Sequence, residues 1–366
     1  MRLTSLNGTG FRNLAGFSLE FNASRNIFIG PNGAGKTNLL EAIYYLCIGR
    51  SMRAHAEDQQ LVGFSSGLLR LEGRAVSAQG ELTVEVGYDK AEKRVRINGE
   101  LQQRLSGLIG RLPVVSLSPE DDDLCKGGPA ERRRFLDLAI SQLSRSYLAD
   151  LQECRRVLAH RNKLLAGWRD GRSRGDSLDA WNSQLQAVGS RITAKRLAVV
   201  DSLAPLAEDH YRAVAGNGER LGLRYRFSYP VEPGGDPGAA LGLALSANTA
   251  FERSRGLSMY GPHRDDLEIA LDGQRIRSFG SQGQQRTAAI ALKLAEAGLL
   301  ARELGDQPLV LLDEIFAELD GRRGANLVGR LDPGCQAFIA SAHDDGISDT
   351  FAIKTILIDS GRITTP

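Results

Sequence analysis

Three glycines, a lysine and a threonine fall within eight residues at Gly30-Pro31-Asn32-Gly33-Ala34-Gly35-Lys36-Thr37, reading G-x-x-x-x-G-K-T. Upstream, Asn26-Ile27-Phe28-Ile29 is a short apolar run suited to a buried strand. Downstream, Leu39, Leu40, Ile43, Leu46 and Cys47 recur at helical spacing until Gly49 supplies a stop. Strand, glycine loop and helix therefore follow one another as a phosphate-binding loop requires. The glycines let backbone N–H groups turn inward at the positive end of the helix. Lys36 is expected to reach the β- and γ-phosphates of ATP, and the Thr37 hydroxyl to hold Mg²⁺.

Such a site needs a second half, and Leu309-Val310-Leu311-Leu312-Asp313-Glu314 has the right form. Four apolar residues make a buried parallel strand, which delivers its C-terminal carboxylates into the crevice beside the loop. Asp313 there would hold Mg²⁺, and Glu314 would deprotonate the attacking water. Ser281-Gln282-Gly283-Gln284, at the head of the helix before this strand, combines a hydroxyl, a glycine N–H and a helix N-terminus. Taken alone, these four residues equally describe a helix capped by Ser281.

The 366 residues, 42% hydrophobic and 25% charged, have the composition of a globular protein with a substantial core. No apolar run reaches eighteen residues, so no membrane partner is expected. The opening residues lack the apolar core of a secretion signal, and Cys47, Cys125, Cys154 and Cys335 form no C-x-x-C pair. Reduced thiols in a cytoplasm are the expectation. The five histidines show no zinc-ligand spacing. Net charge is only +2, but residues 126–226 hold 19 Lys and Arg against 11 Asp and Glu, which leaves −6 for the remainder.

Along the chain, alternation at 17–21, 68–76, 81–88 and 93–97, with Asn98-Gly99 as a hairpin turn, predicts an antiparallel meander beside the loop. A strand follows at 112–117. From Pro129 the spacing turns helical, with one stripe running through Leu136, Ile140, Leu143, Tyr147, Leu151, Cys154 and Leu158. A second stripe starts near Leu178, and glycines and prolines are expected to end these runs early. Pro230 to Gly238 reads as a linker. Helix and strand then alternate to the end of the chain. The expected division is 1–125 (head, N-terminal part), 126–254 (inserted basic helical lobe) and 255–366 (head, C-terminal part).

Several stretches carry a family resemblance. Ser281-Gln282-Gly283-Gln284 is similar to the signature of ABC ATPases, and Glu318-Leu319-Asp320 to their D-loop. Phe11-Arg12-Asn13-Leu14, Ser118-Pro119-Glu120-Asp121, Arg132-Arg133-Arg134-Phe135-Leu136-Asp137 and Gly261-Pro262-His263-Arg264-Asp265-Asp266 resemble the RecF family over essentially the whole chain. The resemblance implies an α/β fold: an ABC/SMC-like P-loop ATPase head with an antiparallel β subdomain and an inserted α-helical lobe. It also implies a weak DNA-stimulated ATPase that closes head to tail as an ATP-dependent homodimer on DNA. Work with RecO and RecR to direct RecA to single-stranded gaps, and links to replication and the SOS response, come with it. Gln59 or Gln60, or else Ser118-Pro119-Glu120, would take the Q-loop place, and Ala342 or His343 that of the histidine after the next strand.

For DNA, spread positive charge suffices for sequence-independent contact. Arg155, Arg156, Lys195 and Arg196 are the chosen candidates, while Arg132–Arg134 could equally pair with acids inside the head. No stretch interleaves aromatic and basic residues as single-strand binders do, so duplex or junction contact is expected. The rival readings are a DNA-bound scaffold with incidental ATP turnover and an ABC transporter subunit.

Overall fold

The apolar runs that bracket the motifs become neighbouring strands of one sheet. In the computed structural model this sheet has the order Arg362–Thr364, Ile353–Asp359, Arg25–Ile29, Ala337–Ser341, Leu309–Asp313 and Val114–Leu117. All its pairings are parallel except that of the terminal Arg362–Thr364. Leu309–Asp313 and Ala337–Ser341 are buried at every position, which is why they read as continuous apolar runs instead of alternating. The structure describes residues 1–21, 24–53, 56–64, 66–89, 92–172, 177–216, 218–318, 321–342 and 353–364.

These residues divide into two units: Met1–Asp121 with Asp209–Asn217 and Thr287–Pro366, and Asp122–Glu208 with Gly218–Arg286. The second unit thus continues past residue 254, where the sequence suggested a return to the head. The reason is strand pairing, since Asp266–Leu271 joins Leu221–Arg226 and Gln274–Arg275 in a three-stranded antiparallel sheet of that unit.

In the first unit the meander forms a six-stranded antiparallel sheet ordered Phe17–Glu20, Arg2–Thr9, Leu68–Ser77, Gly80–Asp89, Glu92–Ile97 and Glu100–Leu101. Asn98 (φ 51°) and Gly99 (φ 83°) make the expected hairpin turn. The helix Lys36–Ile48 packs against strands of both sheets, and eleven of its thirteen residues are buried. Closeness to the meander explains Gly73, where a Cβ would lie 2.3 Å from Leu46 Cδ2. Gly49, at φ 71°, ends the helix with its N–H on the Tyr45 carbonyl.

The second unit differs from the expected helices in two places. Ser144 adopts an extended backbone and breaks the first stripe into Pro129–Leu143 and Arg145–Arg169, its hydroxyl accepting the Tyr147 N–H at 3.3 Å. Conversely, Pro205 does not end the next helix, which runs Asp179–Ala215. Burial of Val200, Leu203 and Ala207 holds the backbone helical despite the lost hydrogen bond. The Pro230–Gly238 segment lies within this unit. Asp236 accepts the N–H groups of Gly238 and Ala239 and so caps a helix, Pro237–Ala247, whose apolar residues lack a clear helical period.

Two arginines organise the interior of this unit. Arg196 bonds Asp137, the Tyr147 and Tyr225 hydroxyls and the Pro262 carbonyl. Arg161 pairs with Glu252 and donates to Ser258 Oγ at 2.8 Å and Asn182 Oδ1 at 3.0 Å, with both members of the pair fully buried. Glu252 in turn accepts the Met259 N–H at 2.7 Å. Removing one member strands a buried charge. Glu252→Ala is therefore expected to destabilise this unit by about 3–5 kcal/mol. Urea unfolding followed by tryptophan fluorescence reads it directly, since Trp168 and Trp181 both belong to this unit.

Candidate functional site

The glycine loop leaves the Arg25–Ile29 strand with Pro31, Asn32 and Gly33 exposed at its tip and Ala34, Gly35 and Lys36 buried. Only glycine fits where it stands. Gly33 has φ 80° and Gly35 φ 117°. A Cβ on Gly30 would lie 2.0 Å from the Ile358 carbonyl oxygen, and one on Gly35 2.9 Å from Leu14. Lys36 Nζ donates to the carbonyls of Gly30 at 2.8 Å and Pro31 at 3.1 Å, so the amine is held at the mouth of the loop.

The Phe11–Leu14 stretch, to which the sequence assigned no role, is built into this loop. Asn13 accepts from Asn38 Nδ2 at 2.7 Å, and its own amide points to the Gly33 carbonyl at 3.4 Å. Arg12, in a left-handed backbone at φ 50°, grips the fully buried Glu41 of the loop's helix through two nitrogens at 2.5 and 2.9 Å. Ser51 Oγ also donates to Glu41, and Arg53 donates to Asn38 at 3.2 Å. An acid in the middle of a helix and an arginine three residues after a strand give no local pattern. The family resemblance was the only signal for Arg12 and Asn13, and nothing in the sequence marked Glu41.

Asp313 lies at the C-terminal end of its strand, one strand removed from the glycine loop, and accepts the Thr37 hydroxyl at 2.8 Å. Burial raises its pKa to about 6; the Thr37 hydrogen bond and the charges of Arg53 and Lys36 oppose that shift, and Glu314 adds to it. A buried carboxylate and a hydroxyl in contact form the oxygen donor set that Mg²⁺ prefers, so the residues fit that ion. Glu314, by contrast, is exposed. Its φ of 51° and its N–H on the Ala340 carbonyl at 3.2 Å turn the chain sharply out of the sheet. A non-glycine residue in this region costs about 1–3 kcal/mol, the kind of strain found at functional positions.

Ser281 and Gln284 close a reciprocal capping box: Ser281 Oγ accepts the Gln284 N–H at 3.3 Å, and Gln284 Oε1 accepts the Ser281 N–H at 2.8 Å. They head the helix Gln282–Leu304, with Ser281 and Gln282 exposed. Gln284 Nε2 also holds Glu219 at 2.7 Å. These four residues belong to the second unit and the glycine loop to the first. His343, Leu319 and Asp320 lie outside the described residues. Of the two glutamine candidates, Gln60 accepts the Glu57 N–H at 3.2 Å in a local turn, and Gln59 is exposed.

The four basic candidates for DNA separate into two pairs. Arg155 and Arg156 are exposed on the helix Arg145–Arg169, and neither makes an ion pair among the described residues. Arg196 is withdrawn, because it is 2% exposed inside the network around Asp137. Lys195 is withdrawn with it, because its amine is engaged by Ser146 Oγ at 2.8 Å and Asp150 Oδ2 at 3.2 Å. Of the Arg132–Arg134 run, Arg132 and Arg133 serve the interior, while Arg134 is exposed. Arg132 forks onto Asp266 at 2.8 and 3.0 Å, and Arg133 donates to the Asp265 carbonyl at 2.8 Å.

A family model described as the RecF/RecN/SMC N terminal domain matches residues 2–363. The DNA replication and repair protein RecF of Geobacillus kaustophilus is 36% identical over 373 residues, covering 100% of both chains. That of Staphylococcus aureus is 35% identical, over 99% of this chain and 100% of its own. Among solved structures, the recombination mediator protein RecF-ATP in the RecFOR pathway is similar over 100% of this chain and 97% of that one, with a TM-score of 0.91 at 31% identity. An Smc head bound to the C-winged helix domain of ScpA shares the fold alone, at TM-score 0.59 and 16% identity.

The raised pKa of Asp313 has a stability consequence with a definite sign. The folded chain holds that proton more tightly than the unfolded one, so stability falls as pH rises from about 4 to about 6 and stays lower above. The shift corresponds to about 3 kcal/mol. Asp313→Asn keeps an oxygen for Thr37 and removes the buried charge. In the nucleotide-free protein it is expected to raise stability by about 2–3 kcal/mol at pH 8 and by almost nothing at pH 4. Thermal melts at the two pH values distinguish this from a pH-independent effect.

Proposed function

The chain belongs to the RecF family of SMC-type P-loop ATPases, and we propose that nucleotide binding and hydrolysis at Lys36, Thr37, Asp313 and Glu314 drive its work as a recombination mediator. The observation that carries this reading is the 2.8 Å contact between Thr37 and Asp313, which joins the glycine loop to the acidic strand. Inward N–H groups of the Gly30–Gly35 loop and the first turn of the following helix receive the phosphates. The Lys36 amine exchanges the Gly30 and Pro31 carbonyls for phosphate oxygens. Thr37 and Asp313 are the residues that would hold Mg²⁺, which supplies neutralisation of phosphate charge. Glu314, exposed at the strand end, accepts a proton from the attacking water; a positioned base of this kind contributes about 10²–10⁴ in rate.

Closure of two copies head to tail places Ser281 of one against the γ-phosphate held by the other. In the capping box Ser281 Oγ accepts a hydrogen bond, which leaves its own proton to donate to an anion. Gln282, Gly283 and Gln284 add the N-terminus of a 23-residue helix. Arg155 and Arg156 supply backbone contact to DNA, duplex or junction, with RecO and RecR as the protein partners in the cytoplasm and RecA acting downstream. Membership of this family removes the transporter alternative, and no helix of the described residues is long and apolar enough to cross a membrane.

Two variants separate binding from hydrolysis. Glu314→Gln is expected to keep ATP, lose at least about a hundredfold in turnover and accumulate as a dimer. Lys36→Met is expected to lose both nucleotide and dimer. Sedimentation in saturating ATP, with and without gapped DNA, gives the answer. A Glu314→Gln protein that stays monomeric would refute closure by nucleotide.

A further inference from the structure

The surface that carries Arg155 and Arg156 also carries an aromatic stack. We propose that it takes a single-stranded segment of DNA, one base resting on His160 while the phosphates follow the helix. This rests on the DNA-binding reading above and names the strand form that the surface favours.

The helix Arg145–Arg169 turns once every 3.6 residues. Arg145, Arg155, Arg156, His160 and Lys163 consequently lie along one face, and all five are exposed. From Arg145 to Lys163 the row is about 27 Å long at 1.5 Å per residue. The helix has two acids, Asp150 and Glu153, and both are engaged from the neighbouring helix. Arg191 reaches Asp150 at 2.8 Å and Glu153 at 2.7 Å, and Lys195 reaches Asp150 at 3.2 Å. The four cations of the row make no ion pair among the described residues. That is the electrostatic footprint of a polyanion, and it serves paired and unpaired strands alike.

The stack decides between them. The His160 ring lies nearly flat on Trp181, with centroids 4.8 Å apart and planes 12° from parallel. His160 is the exposed member and Trp181 is half-buried, so the pair offers the histidine's outer face to solvent. A duplex keeps its base faces covered by neighbouring pairs and presents only edges in its grooves. An unpaired base can extend such a stack to a third ring, and does so whatever its identity. The two residues are 21 positions apart on different helices, so no local aromatic-basic pattern announces them.

The test uses the full-length protein with ATP and two fluorescein-labelled probes of equal length, an oligothymidylate and a duplex, read by anisotropy over a salt series. His160→Ala is expected to weaken single-strand binding about tenfold and to leave duplex binding within about twofold. His160→Tyr, which restores a flat ring, is expected to recover the single-strand affinity. Arg155→Glu with Arg156→Glu should weaken both probes and flatten the dependence of affinity on salt. Unchanged single-strand binding in His160→Ala, an equal loss on both probes, or no recovery in His160→Tyr would overturn the proposal while leaving the DNA reading in place. A wild-type protein that binds neither probe at any salt would overturn the DNA reading itself.

Discussion

One hydrogen bond, from the Thr37 hydroxyl to the Asp313 carboxylate, joins the first residues of the phosphate-loop helix to the end of a strand 276 positions later. Burying that carboxylate is unfavourable, and the Thr37 hydroxyl with the charges of Arg53 and Lys36 offsets only part of the loss of water. The buried charge is thus left partly uncompensated in the nucleotide-free fold. A cation shared by the same two oxygens compensates it, and it turns a local weakness of the nucleotide-free fold into affinity for the metal-bound nucleotide.

Everything around the first helix serves to keep that contact in place. Glu41, on that helix, is a second buried carboxylate, and Arg12 and Ser51 saturate it, so it anchors the helix. Asn13 and Asn38 tie the anchor to the loop itself. Gly361, whose N–H bonds the Ala34 carbonyl, brings the final hairpin against the loop so closely that a Cβ there would lie 2.0 Å from the Asn13 carbonyl oxygen. Loop, anchor and final hairpin are thus one packed assembly.

The sequence made the loop and acidic strand legible because their physics is local: glycines where φ must be positive, an apolar run where both faces are buried, carboxylates where the run ends. The meander was legible for the same reason, through its alternation and its Asn98-Gly99 turn. What could not be read were the places where distant residues decide. Pro205 leaves its helix intact because Val200, Leu203 and Ala207 are buried around it, whereas Ser144 breaks its stripe by the local capping that its type favours. The continuation of the second unit past residue 254 follows from strand partners found across forty residues, not from a composition change. Arg12, Asn13 and Glu41 matter through contacts that no spacing predicts.

Charge was the most misleading of the sequence signals. An excess of +8 over residues 126–226 suggests a broad basic surface, yet much of it is interior structure. Arg132, Arg161 and Arg196 are buried, each against an acid and several neutral oxygens. Arg191 and Lys195 neutralise Asp150 and Glu153, and Arg169 and Arg172 share Asp170. Guanidinium groups suit this internal role, since five donors in a fixed plane can satisfy carboxylates and carbonyls at once. Much of what remains unpaired is concentrated on one face of one helix. What the count suggests as a broad patch is therefore a row of charge running along one helix axis.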